Sequence, residues 1–256
     1  MLKPRFSLDG RVAVVTGGGS GLGRATTLAL ASQGADIVVA GRRADVLDET
    51  AQAVLKQGRR ALSVTADVTK ADQAERLISR TAEEFDRVDI LVNCAGALLH
   101  GEVPFTDLSV EQWQSALDAN LTSVFHCCQA AARRMLPQNS GNIINISSVA
   151  AIAGAPLPTY GPGKAAVLQL TRVLAMMWAR NKVRVNCIIA GTFATRLAAR
   201  AGKPEFLPIG RVGDPQDIGH LAAFLACDAS DYMTGADFVI DGGVLADRWA
   251  PVDYVP

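Results

Sequence analysis

The chain has 256 residues, a length that fits one large α/β domain. Its 25 lysines and arginines balance its 25 aspartates and glutamates, so the basic surface expected of a nucleic-acid or anionic-membrane binder is missing. No segment resembles a signal peptide or a membrane span, and no linker or repeat divides the sequence. We therefore expect residues 1–256 to form a single cytoplasmic domain whose partner is a small molecule or another copy of the chain.

The cysteines agree with that location. They are odd in number and lie mostly within apolar stretches, at Cys94, Cys127, Cys128, Cys187 and Cys227. This pattern is typical of free, buried thiols in a reducing compartment. Cys127 and Cys128 are adjacent but lack a second pair or clustered histidines, so no metal site is predicted.

Short β-branched runs alternate with helical periodicity along the chain. The predicted strands are residues 12–16, 36–40, 61–65, 89–93, 142–147, 183–188 and 237–241. The clearest predicted helices are residues 22–33, 70–85, 111–136, 164–180 and 214–227. Apolar strands separated by helices indicate a doubly wound, Rossmann-type α/β fold with a parallel sheet of about seven strands. Such sheets bind ligands beyond the carboxyl ends of their strands, so the residues that follow each strand are the candidates for a site.

A glycine-rich segment, TGGGSGLG at 16–23, follows the first predicted strand and opens a helix. Glycines let the backbone approach a phosphate, and a helix N-terminus supplies free N–H groups. A tight turn alone would also need glycine, but the position in a βαβ unit favours dinucleotide binding. The candidate cofactor residues here are Gly17, Ser20, Gly21, Leu22 and Gly23.

The end of the second predicted strand bears on the choice of cofactor. Gly41 occupies the place where an acidic residue would bind the ribose hydroxyls of NAD. Arg42 and Arg43 follow it, and a guanidinium there would meet the 2′-phosphate of NADP. The two arginines could instead form a solvated charge pair. NADP is therefore favoured, and NAD stays possible.

Polar or small residues also follow the third and fourth strands. Asp67 could accept a hydrogen bond from the adenine amino group, although such an aspartate is more often a helix N-cap. The segment NCAG, residues 93–96, would leave room for a flat cofactor. The candidates from these two strand ends are Asp67, Val68, Asn93, Ala95 and Gly96.

The remaining motifs form an ordered set. TGxxxGxG, the aspartate of DVT, NCAG, a lone Asn120 in an apolar helix, NISS, YxxxK at Tyr160 and Lys164, and GTFAT at 191–195 follow one another. In this order and spacing, from Arg11 to Gly243, the chain resembles the short-chain dehydrogenase/reductase family. The resemblance implies hydride transfer between a nicotinamide cofactor and a carbonyl or secondary alcohol.

The resemblance also implies roles for individual residues. Tyr160 would be the general acid/base, and Lys164 would hold the nicotinamide ribose while its charge favours the phenolate. Ser148 would polarise the substrate carbonyl, with Ser147 as the alternative because the interval to Tyr160 is one residue short. Asn120 would hold a water that links Lys164 to solvent. The residues implied at the nicotinamide end are Gly191, Phe193 and Thr195, and Ala190 stands where the family usually has proline.

The stretch TYGPGKAAVLQL, residues 159–170, begins with poor helix formers. Tyr160 and Lys164 are four residues apart and share a helical face. If Thr159 caps the helix, Gly161 and Pro162 fall in its first turn, where a missing N–H costs nothing. The glycines would leave space for the cofactor and a neighbouring helix.

The substrate side is expected to be apolar. Residues 196–207 should form a flap, with 244–256 as a C-terminal tail, and the expected pocket lining is Leu98, Leu99, Ala150, Ile152, Leu157 and Phe193. This lining favours a hydrophobic or mixed ketone over a polyol. The alternatives are an NAD-dependent polyol or sugar-acid dehydrogenase and a catalytically silent cofactor-binding protein. His100 is either a pocket group or, more simply, a surface histidine.

The helices at 111–136 and 164–180 are apolar around much of their circumference. A helix that covers one face of a sheet needs only an apolar stripe, so the surplus predicts subunit contact. We expect a homodimer or homotetramer, as the resemblance also implies.

Overall fold

The computed structural model describes residues 5–195 and 207–246. Within these ranges seven strands form one parallel sheet in the order β3-β2-β1-β4-β5-β6-β7. The strands are β1 (Val12–Thr16), β2 (Asp36–Gly41), β3 (Ala61–Thr65), β4 (Ile90–Asn93), β5 (Gly141–Ser148), β6 (Val183–Ala190) and β7 (Asp237–Ile240). The predicted fold class and all of the predicted strands are confirmed, with small shifts at the strand ends.

The helices differ from the prediction in two places. They are α1 (Gly21–Ser32), α2 (Ala44–Leu55), α3 (Ala71–Phe85), α4 (Val110–Leu117), α5 (Ser123–Gln138), α6 (Gly161–Trp178) and α7 (Pro215–Ala226). Helix α2 was not among the clearest periodic segments. The single helix expected at 111–136 is interrupted by a π-helical turn at Asp118–Thr122, a feature that often occurs at functional sites.

Each strand alternates between two apolar cores. Val14 and Leu91 face the core that contains α3, α5 and α6, whereas Val15 and Val92 face the core that contains α1, α2 and α7. Because helices cover both faces, the strands can be apolar on both sides. This explains why they read as continuous hydrophobic runs.

The order of the strands locates the ligand-binding edge. β1 pairs with β2 on one side and with β4 on the other. The strands β2 and β3 are added on one side of β1 and the strands β4 to β7 on the other, so the strand order reverses between β1 and β4. In open parallel sheets, ligands bind outside the carboxyl ends of the strands at such a switch point.

Two predicted segments lie largely outside the described residues. Of the flap at 196–207 only Leu207 is described, and of the tail at 244–256 only residues 244–246 are. None of the helices in the described ranges combines the length and apolar character needed to cross a membrane.

Candidate active site

A cleft of about 580 Å³ opens at the carboxyl ends of β1 to β4. It brings together many of the residues expected to bind a cofactor: Gly17, Ser20, Arg42, Arg43, Asp67, Val68, Ala95 and Gly96. These residues come from four separate strand ends. The cleft therefore lies at the place that the strand order indicates.

The glycine-rich turn packs too closely to carry side chains. Gly17 has φ +67°, and a Cβ added there would lie 3.0 Å from the backbone nitrogen of Ala95. A Cβ at Gly23 would lie 2.2 Å from the carbonyl oxygen of Gly17, so α1 sits directly on the turn. Leu22, the second residue of α1, packs against the core that α1 shares with α2 and α7 and does not line the cleft.

The N-terminus of α1 keeps its hydrogen-bond donors available. Ser20 is the N-cap residue, but its side chain makes no capping hydrogen bond. Its Oγ instead accepts a 3.4 Å hydrogen bond from Nη2 of Arg43. Uncapped N–H groups at a helix start favour an anion such as a pyrophosphate.

The charged side chains lie at one end of the cleft. Arg42 and Arg43 are exposed, and Oδ1 of Asp67 accepts hydrogen bonds from Thr69 N and Oγ1 at 3.1 and 2.8 Å. Burial raises the pKa of Asp67, but the Thr69 hydrogen bonds and the charges of Arg42 and Lys70 outweigh it and lower the pKa overall. Helix α3 has Lys70 as its N-cap residue, so Asp67 does not cap it. Its carboxylate stays ionised within the cleft wall.

The structure does not bring the Asn93 side chain to the cleft. It is 2% exposed, and its Nδ2 donates to Asn145 Oδ1 at 2.9 Å within the core. Thr16 does line the cleft, and its Oγ1 accepts from the backbone nitrogens of Cys94 and Ala95 at 3.2 Å each. A polar residue at a strand end was the signal that could have identified Thr16.

Tyr160 and Lys164 come together at the start of α6. The Nζ of Lys164 lies 5.6 Å from the centroid of the Tyr160 ring. The lysine is 4% exposed, and its Nζ donates to the carbonyl oxygen of Ile146 at 2.9 Å. A buried ammonium group is thus held beside a half-buried phenol.

Asn120 lies next to the same lysine. It is fully buried in the π-helical turn, and its Nδ2 donates to the carbonyl oxygens of Ala97 and Ala116 at 2.8 and 3.0 Å. Its Oδ1 accepts from Ala97 N at 3.1 Å. A Cβ at Gly96 would lie 3.0 Å from that Oδ1 and 3.2 Å from Lys164 Nζ. Asn120 therefore fastens the loop after β4 beside Lys164.

The two serines at the end of β5 have different environments. Ser147 is 2% exposed, and its Oγ donates to the carbonyl oxygen of Lys164 at 2.8 Å. Ser148 is half-buried, and its Oγ accepts from Ala150 N at 3.2 Å. The hydroxyl of Ser148 still has its own proton to donate. The geometry favours Ser148 as the serine that reaches a substrate.

The start of α6 corrects the expected cap. Tyr160, not Thr159, is the N-cap residue, and Pro162 lies in the first turn. The hydroxyl of Thr159 donates to the carbonyl oxygen of Leu99 at 2.6 Å. Thr159 therefore ties the approach to Tyr160 to the loop after β4, a long-range contact that local sequence signals do not reveal.

The residues after β6 approach the start of α1 but are not among those that line the cleft. A Cβ at Gly21 would lie 3.3 Å from Cγ2 of Thr195, so this segment approaches the glycine-rich turn. Gly191 donates its N–H to Ile240 O at 2.9 Å, which continues the pairing of β6 and β7. Phe193 is 5% exposed and buries its ring against Gly213. Its carbonyl oxygen accepts from Thr195 N at 2.7 Å, and Phe193 is not among the residues that line the cleft.

His100 contacts α4 and is not among the residues that line the cleft. It is half-buried, has φ +55°, and places Nε2 3.2 Å from Ser115 Oγ. The neighbouring Leu99 lines the cleft, whereas Ile152, another expected lining residue, is 54% exposed. Sequence reasoning also missed several small cleft residues: Gly19, which lies within the glycine-rich motif but was not singled out, and Ala97, Ala119 and Ser123, which lie outside the motifs.

Comparisons with known proteins cover nearly the whole chain. A family model described as enoyl-(acyl carrier protein) reductase matches residues 17–245. The chain is 37% identical over 245 residues to a 3-oxoacyl-[acyl-carrier-protein] reductase from Synechocystis, covering 93% of this chain and 98% of that one. It is 39% identical over 256 residues to a 2-dehydro-3-deoxy-D-gluconate 5-dehydrogenase from Escherichia coli, covering 96% and 100%. A structure described as a putative short-chain alcohol dehydrogenase from Sinorhizobium meliloti superposes with a TM-score of 0.89 at 37% identity, covering 95% and 99%.

Proposed function

Because the chain belongs to the short-chain dehydrogenase/reductase family, we propose that it moves a hydride between NADP(H) and the carbonyl or secondary alcohol of a hydrophobic or mixed small molecule. The family's members are oxidoreductases that act on CH–OH or C=O groups with a nicotinamide cofactor. The observation that carries the proposal is the pairing of Lys164 with Tyr160, 5.6 Å from Nζ to ring centroid, beside Asn120 and the cleft.

The cleft fits a dinucleotide. The close backbone contacts of Gly17 and Gly23 form a turn without side chains, so a ligand can approach the backbone there. The first turn of α1 presents N–H groups that no side chain caps. These residues would hold the pyrophosphate. When bound, the cofactor supplies or accepts the hydride at its nicotinamide ring.

The chain's own residues handle the proton. In the reducing direction the Tyr160 hydroxyl gives its proton to the carbonyl oxygen, and Ser148 donates a hydrogen bond to the same oxygen. The ammonium group of Lys164 then stabilises the phenolate left on Tyr160, and it would hold the nicotinamide ribose of a bound cofactor. Asn120 keeps the loop after β4 in place and lines the route of a water from Lys164 to solvent. In alcohol oxidation the phenolate takes the proton back.

Charge at the adenosine end supports NADP. Arg42 and Arg43 line the cleft there, and Asp67 is the one carboxylate among the cleft-lining residues in the described ranges. The two guanidinium groups outnumber that carboxylate, so a 2′-phosphate would be attracted. Gly41 offers no side chain to bind an unphosphorylated ribose.

The apolar surroundings support a ketone substrate. A Cβ at Gly101 would lie 3.4 Å from Leu98 and 3.8 Å from Leu157, so the side chains of these two leucines lie together beside Gly101. Hydroxyl groups buried without partners cost free energy, which disfavours a polyol. A second candidate, an NAD-dependent sugar-acid dehydrogenase, is favoured by the 39% identity to the 2-dehydro-3-deoxy-D-gluconate 5-dehydrogenase.

We also propose that the protein is a cytoplasmic homodimer or homotetramer that associates through α5 and α6. These helices expose Phe125, Val173, Met176 and Met177, with exposed fractions of 46, 42, 85 and 64%. Such a patch on helices that already cover a sheet is typical of an interface. Sedimentation equilibrium of wild type and a Met176→Glu, Met177→Glu variant would test it, with dissociation expected in the variant.

The function is tested by following NADPH and NADH oxidation with a panel of aryl, alicyclic and acidic ketones. The proposal expects turnover with NADPH and at least one hydrophobic ketone. Turnover with NADH and a keto sugar acid alone would favour the second candidate. Cofactor binding without turnover on any carbonyl or alcohol would favour a silent binding protein.

A further inference from the structure

We infer that Ser147 is a positioning residue: together with the carbonyl of Ile146, its hydroxyl fixes Lys164 from the end of β5. The inference rests on the proposed function, because it concerns how Lys164 and Tyr160 are aligned with Ser148. Ser147 itself is not placed in contact with substrate or cofactor.

Two consecutive residues of β5 hold the two ends of one lysine. Ser147 Oγ donates to the backbone carbonyl oxygen of Lys164 at 2.8 Å, and Lys164 Nζ donates to the backbone carbonyl oxygen of Ile146 at 2.9 Å. The side chains of Ser147 and Lys164 are nearly inaccessible, with residue exposures of 2 and 4%. Loss of the Nζ bond would leave a buried ammonium group without this partner. Loss of the Ser147 hydroxyl would remove a tie between β5 and the backbone of α6 that bulk water cannot easily replace.

The start of α6 has little local stabilisation of its own. Its N-cap, Tyr160, makes no side-chain capping bond. Gly161, Pro162 and Gly163 follow, and glycine and proline have poor intrinsic helix propensity. The Ser147 bond reaches this first turn from the sheet. It therefore supplies from outside the anchoring that the helix sequence lacks.

The same strand carries the proposed substrate-binding serine. Ser148 follows Ser147 directly, and β5 is paired along its length with β6 from Gly141 to Ser148. A bond from this rigid strand to Lys164 sets the distance between Ser148 on one side and Tyr160 with Lys164 on the other. Reacting groups misplaced by 1 Å can lose about 100-fold in rate, so a small shift of the helix start has a measurable effect.

Side-chain alternation explains why the two serines differ. Ile144 and Ile146 face the core with α1, α2 and α7, whereas Ile143 faces the core with α3, α5 and α6. Ser147 shares the face of Ile143 because strand residues two apart and four apart point the same way. Its hydroxyl therefore meets α6 inside the core.

Ser147→Ala removes the hydroxyl, and Ser147→Cys keeps a similar shape with a weaker donor. We expect Ser147→Ala to lower kcat by about 5- to 50-fold and to raise KM for NADPH several-fold. Ser147→Cys should fall between Ser147→Ala and wild type in each measurement. This order follows from the strength of the bond to Lys164.

Ser230→Ala is a matched control. Ser230 is 1% exposed and donates to Leu225 O and Cys227 O at 2.8 and 3.0 Å, beyond the end of α7. The Ser230→Ala variant loses a buried hydrogen bond from a serine hydroxyl to a backbone carbonyl, as Ser147→Ala does, but at a position away from the cleft. The thermal stability of Ser230→Ala should fall by an amount similar to that of Ser147→Ala, while its kcat and its KM for NADPH stay at wild-type values. If Ser147→Ala matches Ser230→Ala in kcat and KM, the inference is overturned.

A readout without turnover separates this inference from the proposed function. The affinity for NADPH, measured by nicotinamide fluorescence, reports whether Lys164 is held in place to bind the nicotinamide ribose. In Ser147→Ala this affinity should fall several-fold, and in Ser230→Ala it should equal that of wild type. Absence of turnover in wild type would refute the function alone, whereas equal NADPH affinities of wild type and Ser147→Ala would refute the positioning role alone.

Discussion

The preference for NADP depends on a short segment that can be rewritten without disturbing the fold. Gly41 ends β2, and a Cβ added there meets nothing closer than Leu47 Cδ2 at 3.4 Å. Its φ is not in the left-handed region, so an aspartate can be accommodated. Arg42 is exposed at the cleft wall and can be truncated without leaving a cavity. The variant Gly41→Asp, Arg42→Ala therefore changes charge in the cleft with little structural cost.

The expected effect follows from the hydrogen bonds that Arg42 can offer. A charge-assisted hydrogen bond contributes about 1.5 to 3 kcal/mol, which corresponds to about 10- to 100-fold in kcat/KM for NADPH. The new carboxylate repels a 2′-phosphate and can accept from the ribose hydroxyls, so NADH should gain at the same time. The change should appear mainly in KM, because the adenosine end does not take part in the chemical step.

The assay is the ratio of kcat/KM for NADPH to that for NADH with one ketone, measured at two salt concentrations because screening weakens exposed charges. Arg43→Ala tests the second guanidinium, which also bonds Ser20. Arg80→Ala, an exposed arginine on α3 outside the cleft lining, is the control and should leave the ratio unchanged. A wild-type enzyme that already uses NADH as well as NADPH would show that both arginines are merely solvated.

Three further predictions concern stability and substrate choice. Asp89→Asn should lower the free energy of unfolding, measured in urea, by about 2 to 4 kcal/mol. The Asp89 carboxylate is 3% exposed, and it accepts hydrogen bonds from Val12 N and from Nε and Nη2 of Arg87, the latter two at 2.7 Å each. The control is Asp72→Asn, which removes an exposed ion pair within α3 and should change the free energy of unfolding by less than about 0.5 kcal/mol. An equal loss in both variants would contradict the ion-pair argument. Burial raises the pKa of Cys94 to about 11 and the pKa of Cys128 to about 12. Thiols in the unfolded chain ionise near ~8.5. The folded state keeps these two thiols protonated, and the stability that this contributes is complete below that pH and is lost as the pH rises through the folded-state pKa values. A urea denaturation midpoint that rises between pH 8 and 10.5 would contradict this prediction. Cyclic and aryl ketones should have higher kcat/KM than keto sugar acids, and the reverse order would favour the sugar-acid alternative.

The fold could be predicted because its signals are local. Each strand is a short apolar run between helical segments, and burial on both sheet faces requires such a pattern. Helix α2 was not among the clearest helical segments because only four of its twelve residues are buried, namely Leu47, Thr50, Ala51 and Val54. The π-helical turn at Asp118–Thr122 was read as continuous helix, because it spans only five residues and has α-helix directly before and after it.

The site could be predicted in part for the same reason. Strand ends converge at one edge of a parallel sheet, so the positions of Arg42, Asp67 and Gly96 followed from the topology. The bond of Thr159 to Leu99 and the core position of Asn93 depend on packing between distant segments. Sequence carries no short-range signal for such contacts, and the environments of Ser147 and Ser148 could be distinguished only in three dimensions.

The central claim is that Tyr160 is the acid/base of a carbonyl oxidoreductase. Tyr160→Phe keeps the ring beside Lys164 and removes the hydroxyl, so a single variant separates chemistry from binding. The account predicts that NADPH-dependent ketone reduction falls below about one hundredth of wild type, while cofactor binding, measured by nicotinamide fluorescence, stays within a few-fold. A variant that binds cofactor normally and retains more than about a tenth of wild-type turnover would contradict the account.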